Sequence, residues 1–560
     1  MKICRLKMQF VIFFLILFFP CALEAKTSAK PAAVYPDNIV PDSYPQMDRM
    51  EIGHLRYFMT IARQDLDDFS LLPSGNLYGI PKTGAMQTSM ASFRYTLAFM
   101  TYFLALEQFH KVPANTDMIQ PLMDRLIRKM QRKAVWDYWA STSKGMPHFE
   151  PNFDRPYPSE RDPIRVKNIM YSGHLAQMIA LYEKLYLDMK WSQPGSIVFE
   201  WSNNEKYTYD HNKLQKIIFD QFMNNPDHCI QCEPNVCFAV CNQHPILAHL
   251  LYDQLHGTDY FPRASIKLME WFIKEEIIDP KDHEVSIMWL VKQKKRYKER
   301  DLKLDNWLDN LVGPLSAMKL LRFNSATVDG WNGAFMNAWQ PLVVKQHYPF
   351  MLKTHIVEKK GGKTAYCVKN GFFNQLATPF FAVLAAEMGD ISLRDKMARW
   401  SDDSFRGKWS KDGSFSYPMT FEVPIAIYPG LSVKGISLTD KAVALARANT
   451  KDGIRNLHLQ PFRGNDPDSP VITNPAFPDM VLSRAVYDKK KKALIVSTTE
   501  GLDPRRVTSL TVSRLDRTTG YRLFIDGKEY ASYGNLDSIS IDIMLNKPHD
   551  IVLLEGNALQ

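Results

Sequence analysis

Between about residues 50 and 405, apolar positions recur every three or four residues. The stretches "HLRYFMTIARQ", "ASFRYTLAFMTYFLALEQF", "MIQPLMDRLIRKMQRKAVWDYWA", "NIMYSGHLAQMIALYEKLYLDM", "KLQKIIFDQFM", "ILAHLLYDQLHG", "SIKLMEWFIKEEI" and "FFAVLAAEMGD" all read as helices. Gly or Asn closes several of them, as in "LHGTDY" and "EMGDIS". So many helices fit a bundle, a solenoid or an α/α toroid, and the lack of a clean repeat period argues against a solenoid. A toroid would gather its inner helix ends around an aromatic-lined cavity. Near residue 405 the pattern changes. "MVLSRAVYDKKKKALIVSTT", "SLTVSRLDRTTGYRLFIDGKEYASY" and "SISIDIMLNKPHDIVLLEG" alternate polar and apolar residues and are broken by turn residues. Residues 420–560 therefore read as a small antiparallel β-domain. A helix near "LTDKAVALARA" is expected to bridge the two parts.

The first residues add a location. Lys2, Arg5 and Lys7 precede the apolar run "QFVIFFLILFF", and Ala22 and Ala25 follow it. This is the pattern of a secretory signal peptide over residues 1–25, so a periplasmic or secreted protein is expected. The run is short for a membrane span, and no stable anchor is expected after cleavage. The net charge is +9, but much of the basic surplus sits in "KQKKRYKER", "KKGGK" and "DKKKK", which read as solvated loops. Nothing resembles a nucleic-acid module, so no nucleic-acid partner is expected.

Four of the seven cysteines fall between Cys229 and Cys241. Losing the signal would leave five, an odd count that excludes a pure disulfide scaffold. Zinc ligands, a disulfide pair, packed core thiols and reactive thiols all remain open for the cluster. Pro234 reads as the first residue of a helix that would put Cys237 and Cys241 on one face. A thiol at such a helix start can have a lowered pKa, and Glu233 would add a proton-transfer group beside it.

"CEPNVCFAVCNQ" followed by "LLYDQLHGTDY" resembles the linalool dehydratase/isomerase family, matching at Cys232, Glu233, Phe238 and Cys241. "NIMYSGHL" extends the resemblance to Met170 and His174, and "DDFSLL" with "FRYTLAF" to Asp68 and Tyr95. The resemblance covers about residues 50–405. It implies an (α/α)6 toroid over residues 26–410, and the β-domain of residues 420–560 lies outside it. It also implies catalytic roles for Asp68, Tyr95, His174, Cys232, Glu233 and Cys241, with Met170, Phe238 and Trp289 lining the substrate. Neither a metal nor a cofactor is implied. The expected partner is a small hydrophobic alcohol or alkene, and the family's closed rings of subunits imply a homo-oligomer. Departures stand beside the match: Ser74 replaces a family tyrosine, Trp289 a later pocket tyrosine, and Cys229 and Cys237 have no counterpart.

Dehydrating a tertiary allylic alcohol needs an acid for the leaving hydroxyl and a base for a neighbouring C–H. It also needs a dry aromatic pocket for the developing cation. Side chains that can move protons supply this without redox help. Each candidate also has an ordinary reading: His174 as a paired core histidine, Asp68 as a helix cap, Tyr95 and Phe238 as core aromatics, and Met170 as a gap filler. Two other functions fit the same pattern. One is an exported carbohydrate-active enzyme, with Trp331 and Trp339 stacking on sugar; the other is a binding protein without turnover.

Overall fold

The computed structural model describes residues 35–72, 92–145, 155–298, 325–367, 374–417, 420–422, 432–434 and 437–556. The expected signal peptide and Ser74 lie outside the described residues.

Among the described residues, twelve longer helices alternate between two kinds of surface. They are α1 (Arg49–Arg63), α2 (Phe93–His110), α3 (Gln120–Met130), α4 (Ile169–Tyr186), α5 (His211–Asn224), α6 (Ala239–His256), α7 (Tyr260–Lys274), α8 (Ser325–Met336), α9 (Pro341–His355), α10 (Asn374–Glu387), α11 (Ile391–Phe405) and α12 (Ser437–Ala448). The odd-numbered helices leave part of their surface exposed or half-buried. The even-numbered ones are buried on nearly every face, as in α2 from Phe93 to Gln108 and α4 from Ile169 to Leu185. A helix that is apolar all round must be enclosed by others. The even helices enclose one another: α2 touches α4, α4 touches α6, and the contacts continue through α8, α10 and α12 back to α2. The odd helices pack outside this closed order, α3 and α5 against α4, α7 against α6, α9 against α8 and α11 against α10. The helix expected to bridge the two parts is α12, and it occupies the sixth inner position. A short α13 (Gly453–Leu459) packs on α2, α6, α8 and α10.

Local chemistry sets several helix ends. Asp48 and Glu51 form a reciprocal capping box at the start of α1. Gly257 ends α6 with φ +67°, a left-handed cap that suits glycine. Where α4 crosses α6, a Cβ on Gly173 would stand 2.8 Å from the Pro245 ring, so only glycine allows this approach.

Small antiparallel sheets decorate the helices. β1 (Ile197–Ser202) pairs with β2 (Glu205–Tyr209), and β3 (Val236–Cys237) with β4 (Met288–Leu290) and β5 (Lys295–Tyr297). The hairpins β6 (Ile356–Glu358) with β7 (Ala365–Cys367), β8 (Lys408–Trp409) with β9 (Phe415–Ser416), and β10 (Thr420–Glu422) with β11 (Ser432–Lys434) follow.

The C-terminal part is two antiparallel sheets. β12 (Val471–Thr473), β15 (Val507–Ser513) and β18 (Ser538–Met544) form one. The other has the order β13 (Leu482–Asp488), β14 (Ala493–Thr498), β19 (Asp550–Glu555), β16 (Gly520–Ile525) and β17 (Lys528–Gly534). Alternation decides what each face buries. Leu494, Val496 and Leu553 join Leu510, Val512 and Ile541 in the main core. Ala493, Ile495 and Val552, one residue out of phase, are covered by Tyr35 and Ile39 of the N-terminal segment. Among the described residues, no helix is long and apolar enough to cross a membrane.

Candidate active site

Five of the six inner helices send rings to one buried cluster. On α2, Tyr95, Phe99 and Tyr102 share one face, and α4 brings Met170 and His174 to one face at four-residue spacing. Trp331 of α8 stacks on Phe380 of α10, with ring centroids 4.7 Å apart. Phe99 stands edge-on to both, at 5.1 and 5.2 Å. Tyr95 meets the edges of His174 and Trp331 at 5.7 and 5.9 Å. His244 of α6 lies 3.9 Å from His174, centroid to centroid, beside the glycine–proline crossing described above.

The thiols and Glu233 enter just before α6. The helix does not begin at Pro234 as the sequence suggested. Asn235 takes φ +72°, the Val236 amide turns back to the Glu233 carbonyl, and Cys237 joins β3 opposite Trp289. Phe238 is the N-cap, and Cys241 is the third residue of α6. Cys232 lies beside Cys241 and Cys229 beside Cys237, and all four are buried free thiols. A lowered thiol pKa is not found. Burial pushes Cys232 up to about 11 and Cys241 well above its ordinary value, outweighing the helix start. Both are neutral S–H groups at physiological pH.

Glu233 behaves differently. Burial raises its carboxyl to about 7, and the Arg94 guanidinium pulls it down from a still higher value. Its Oε2 is buried without a hydrogen-bond partner among the described residues. Arg94 lies between two phenol rings, 4.5 Å from the Tyr95 centroid and 4.2 Å from that of Tyr138. It also donates to the Tyr95 hydroxyl at 3.3 Å. Tyr138 donates to the Asn168 side chain at 2.6 Å, which fixes this layer to the start of α4.

Proton positions around His174 follow from a chain of hydrogen bonds with unambiguous ends. An indole N–H only donates, and a carbonyl only accepts. Trp331 donates to His244 Nε2 at 2.9 Å, so His244 carries its proton on Nδ1 and donates it to Gln177 Oε1 at 2.7 Å. From the other end, His458 Nδ1 donates to the Ile454 carbonyl at 2.7 Å, and its Nε2 accepts from Gln177 Nε2 at 3.0 Å. Both ends orient Gln177 the same way. Tyr102, 3.4 Å from the His244 Nδ1–H, is left to donate to His174 Nδ1 at 2.7 Å. His174 therefore carries its proton on Nε2, which is buried and has no partner among the described residues. Burial, reinforced by Arg94, lowers its pKa well below the ordinary value and keeps it neutral.

The sequence-predicted residues separate into two groups. Tyr95, Met170, His174, Cys232, Glu233 and Cys241 are gathered at this end of α2, α4 and α6, with Phe238 at the α6 start. Burial, followed by the charges of Arg94, Cys241, Glu233 and Cys232, acts on the Tyr95 hydroxyl and leaves its pKa well raised. Asp68 lies in the turn after α1, where its carboxylate accepts from the Ser70 amide and the Gln64 side chain, both at 2.8 Å. It serves there as a turn cap. Trp289 packs edge-on against Trp271 of α7 at 6.0 Å, on the Cys237 side. The proposed sugar platforms are turned inward: Trp331 donates to His244, and Trp339 donates to Gln243 at 2.7 Å. Arg94, Tyr102, Tyr138, Gln177, His244 and His458 were not singled out from sequence. The readable signal was a polar residue inside an otherwise apolar helix.

Comparison with solved structures pairs the chain with a GH127 β-L-arabinofuranosidase from Geobacillus stearothermophilus T6. The two are 10% identical, the alignment covers 90% of this chain and 80% of that one, and the TM-score is 0.34. The family model described as linalool dehydratase/isomerase matches residues 94–319 and 315–420, a span that holds every member of the buried cluster up to Phe380 and omits Asp68, His458 and the two C-terminal β-sheets. With more than half of its length matched, and with its buried cluster inside the match, the chain belongs to the linalool dehydratase/isomerase family.

Proposed function

We propose that the protein is a cofactor-independent lyase/isomerase that removes or relocates the hydroxyl of a terpenoid allylic alcohol inside a ring of six helix pairs. The closed contact order of the even-numbered helices supports the α/α toroid. One observation carries the chemical reading: two buried polar atoms without partners, His174 Nε2 and Glu233 Oε2, occur in one aromatic cluster. A buried polar atom without a partner is costly in a structural role, and a substrate that pairs with it removes the cost.

In this reading His174 Nε2–H donates to the substrate hydroxyl oxygen. Glu233 in its protonated form gives that oxygen a proton, and the C–O bond breaks with its electron pair leaving as water. The allylic cation is faced by the rings of Tyr95, Phe99 and Trp331. The Glu233 carboxylate then takes a proton from the carbon next to the cation, directly or through the Cys232–Cys241 pair, and the alkene forms. For isomerisation, water returns to the far end of the allyl system and gives its proton back to Glu233. A carboxyl near 7 is balanced for both halves of this cycle. The thiols act as neutral relays rather than as nucleophiles, because burial keeps them protonated. Met170 and Phe238 lie at the apolar end. The N-terminal pattern supports export to the periplasm or outside the cell.

Incubation of the purified protein with tertiary allylic terpenols, followed by gas chromatography, tests this reading. The alkene and the positional isomer are the expected products. Undiminished turnover in Glu233→Gln would overturn the assignment of the proton carrier.

A further inference from the structure

At the other end of α4, three helix ends bring two imidazoles and a carboxylate together. Glu183 lies in the last turns of α4, His211 is the first residue of α5, and His256 is the last of α6. His211 Nδ1 and His256 Nε2 stand 2.7 and 3.2 Å from the same atom, Glu183 Oε2. All three ligand atoms lie within 4.8 Å of one another. We propose that Glu183, His211 and His256 are a binding site for one divalent transition-metal ion of the zinc class, which ties α4, α5 and α6 together. The proposal does not depend on the reaction proposed above. His174 and Glu183 are nine residues apart on one helix, roughly 13 Å along its axis.

Four features support an ion rather than hydrogen bonds alone. First, two imidazoles and one glutamate make a three-ligand set that zinc uses with a fourth, open position. Second, the access is right: Glu183 and His211 are fully buried, whereas the His256 side chain is 20% exposed and leaves a side for entry and for a water ligand.

Third, the supporting groups are in place. Ser192 donates to Glu183 Oε1 at 2.7 Å, which directs Oε2 toward the imidazoles. His256 stacks on Tyr252, with centroids 4.1 Å apart.

Fourth, Gln215 lies one turn beyond His211 with its Nε2 2.9 Å from His211 Nε2, while its Oε1 is buried without a partner. Turned by half a turn, the amide would accept at Oε1 from His211 Nε2–H and leave its own Nε2 without that partner, an arrangement that an ion on Nδ1 would select. That tautomer leaves the lone pair of Nδ1 directed at Glu183, where an ion would sit. An outer partner that fixes the ligand tautomer in this way is the usual support of a metal-bound histidine.

The test uses the full-length protein, dialysed against chelator and titrated with Co2+ and Zn2+. About one equivalent of Co2+ is expected to bind with ligand-field absorption and no sulfur-to-metal charge-transfer band. His256→Ala, which changes the partly exposed ligand, should weaken binding by at least about 100-fold, and Gln215→Ala by about 10- to 100-fold. Zn2+ should raise the melting temperature of the wild-type chain and leave that of His256→Ala unmoved. Three results would overturn the proposal: no stoichiometric binding, binding unchanged in His256→Ala, or a sulfur band that disappears in Cys232→Ser.

Discussion

Glu233 and Glu183 are two buried carboxylates near opposite ends of the same helix bundle, and they are treated in opposite ways. Glu183 has His211, His256 and Ser192 within hydrogen-bond distance, and its pKa falls to about 2. Among the described residues Glu233 has one unpartnered oxygen; burial raises its pKa to about 7 against the charge of Arg94 and a hydrogen bond from its own backbone. Burial acts alike on both, so partners decide the outcome. A saturated carboxylate holds a structure together and does not exchange its proton. A starved one costs stability, and it can give and take a proton near neutrality.

Substitutions can break this contrast. The largest expected effect is on turnover: Glu233→Gln should lower kcat by about 10²- to 10⁴-fold, read by product formation at pH 7. Next, Glu183→Ala should cost about 3–5 kcal/mol in chemical denaturation, because it leaves two imidazoles and a hydroxyl without their acceptor. The Glu183 contribution is present above the ordinary glutamate range and disappears as pH falls from about 4 through 2. Glu183→Gln should therefore flatten the acid limb of the stability profile.

The sign reverses at Glu233. Its raised pKa means that the stability contribution of the neutral group is present below pH 4 and lost as pH rises through 7. Glu233→Gln should gain on the wild type between pH 5 and pH 8, by up to about 3 kcal/mol. Loss of activity together with a gain in stability would mark a residue kept for chemistry. A smaller effect is expected from Trp331→Phe, which removes the donor that fixes His244. It should cost about 1–3 kcal/mol, and nitrogen NMR should show His174 in mixed tautomers. The smallest change is Asp68→Asn, expected to stay within about 0.5 kcal/mol, with turnover retained.

Much of this was legible in the sequence, because helix periodicity and burial are properties of neighbouring residues. The alternation of enclosed and half-exposed helices, and the placing of Tyr95, His174, Cys232 and Glu233 on or beside inner helices, could be read from local pattern and family motif. Arg94 and His244 were harder. Nothing nearby in sequence says that a guanidinium will lie between Tyr95 and Tyr138, or that an indole 87 residues away will fix an imidazole. The start of α6 was misread because Pro234 is a good first helical residue. The chain instead continues in an extended pairing with β4, whose Trp289 is supplied from more than fifty residues downstream. Asp68 had the right residue type, but it lies in a turn whose own amides satisfy it.

In the proposed toroid the even-numbered helices would be six staves, and the sixth, α12, begins at Ser437, after the family match has ended at residue 420. A fragment trimmed to the matched region would lack that stave, leaving the flanks of α2 and α10 as a greasy slot open to water. Anyone dividing this chain for expression should cut no earlier than Leu459, where α13 has finished crossing the same seam.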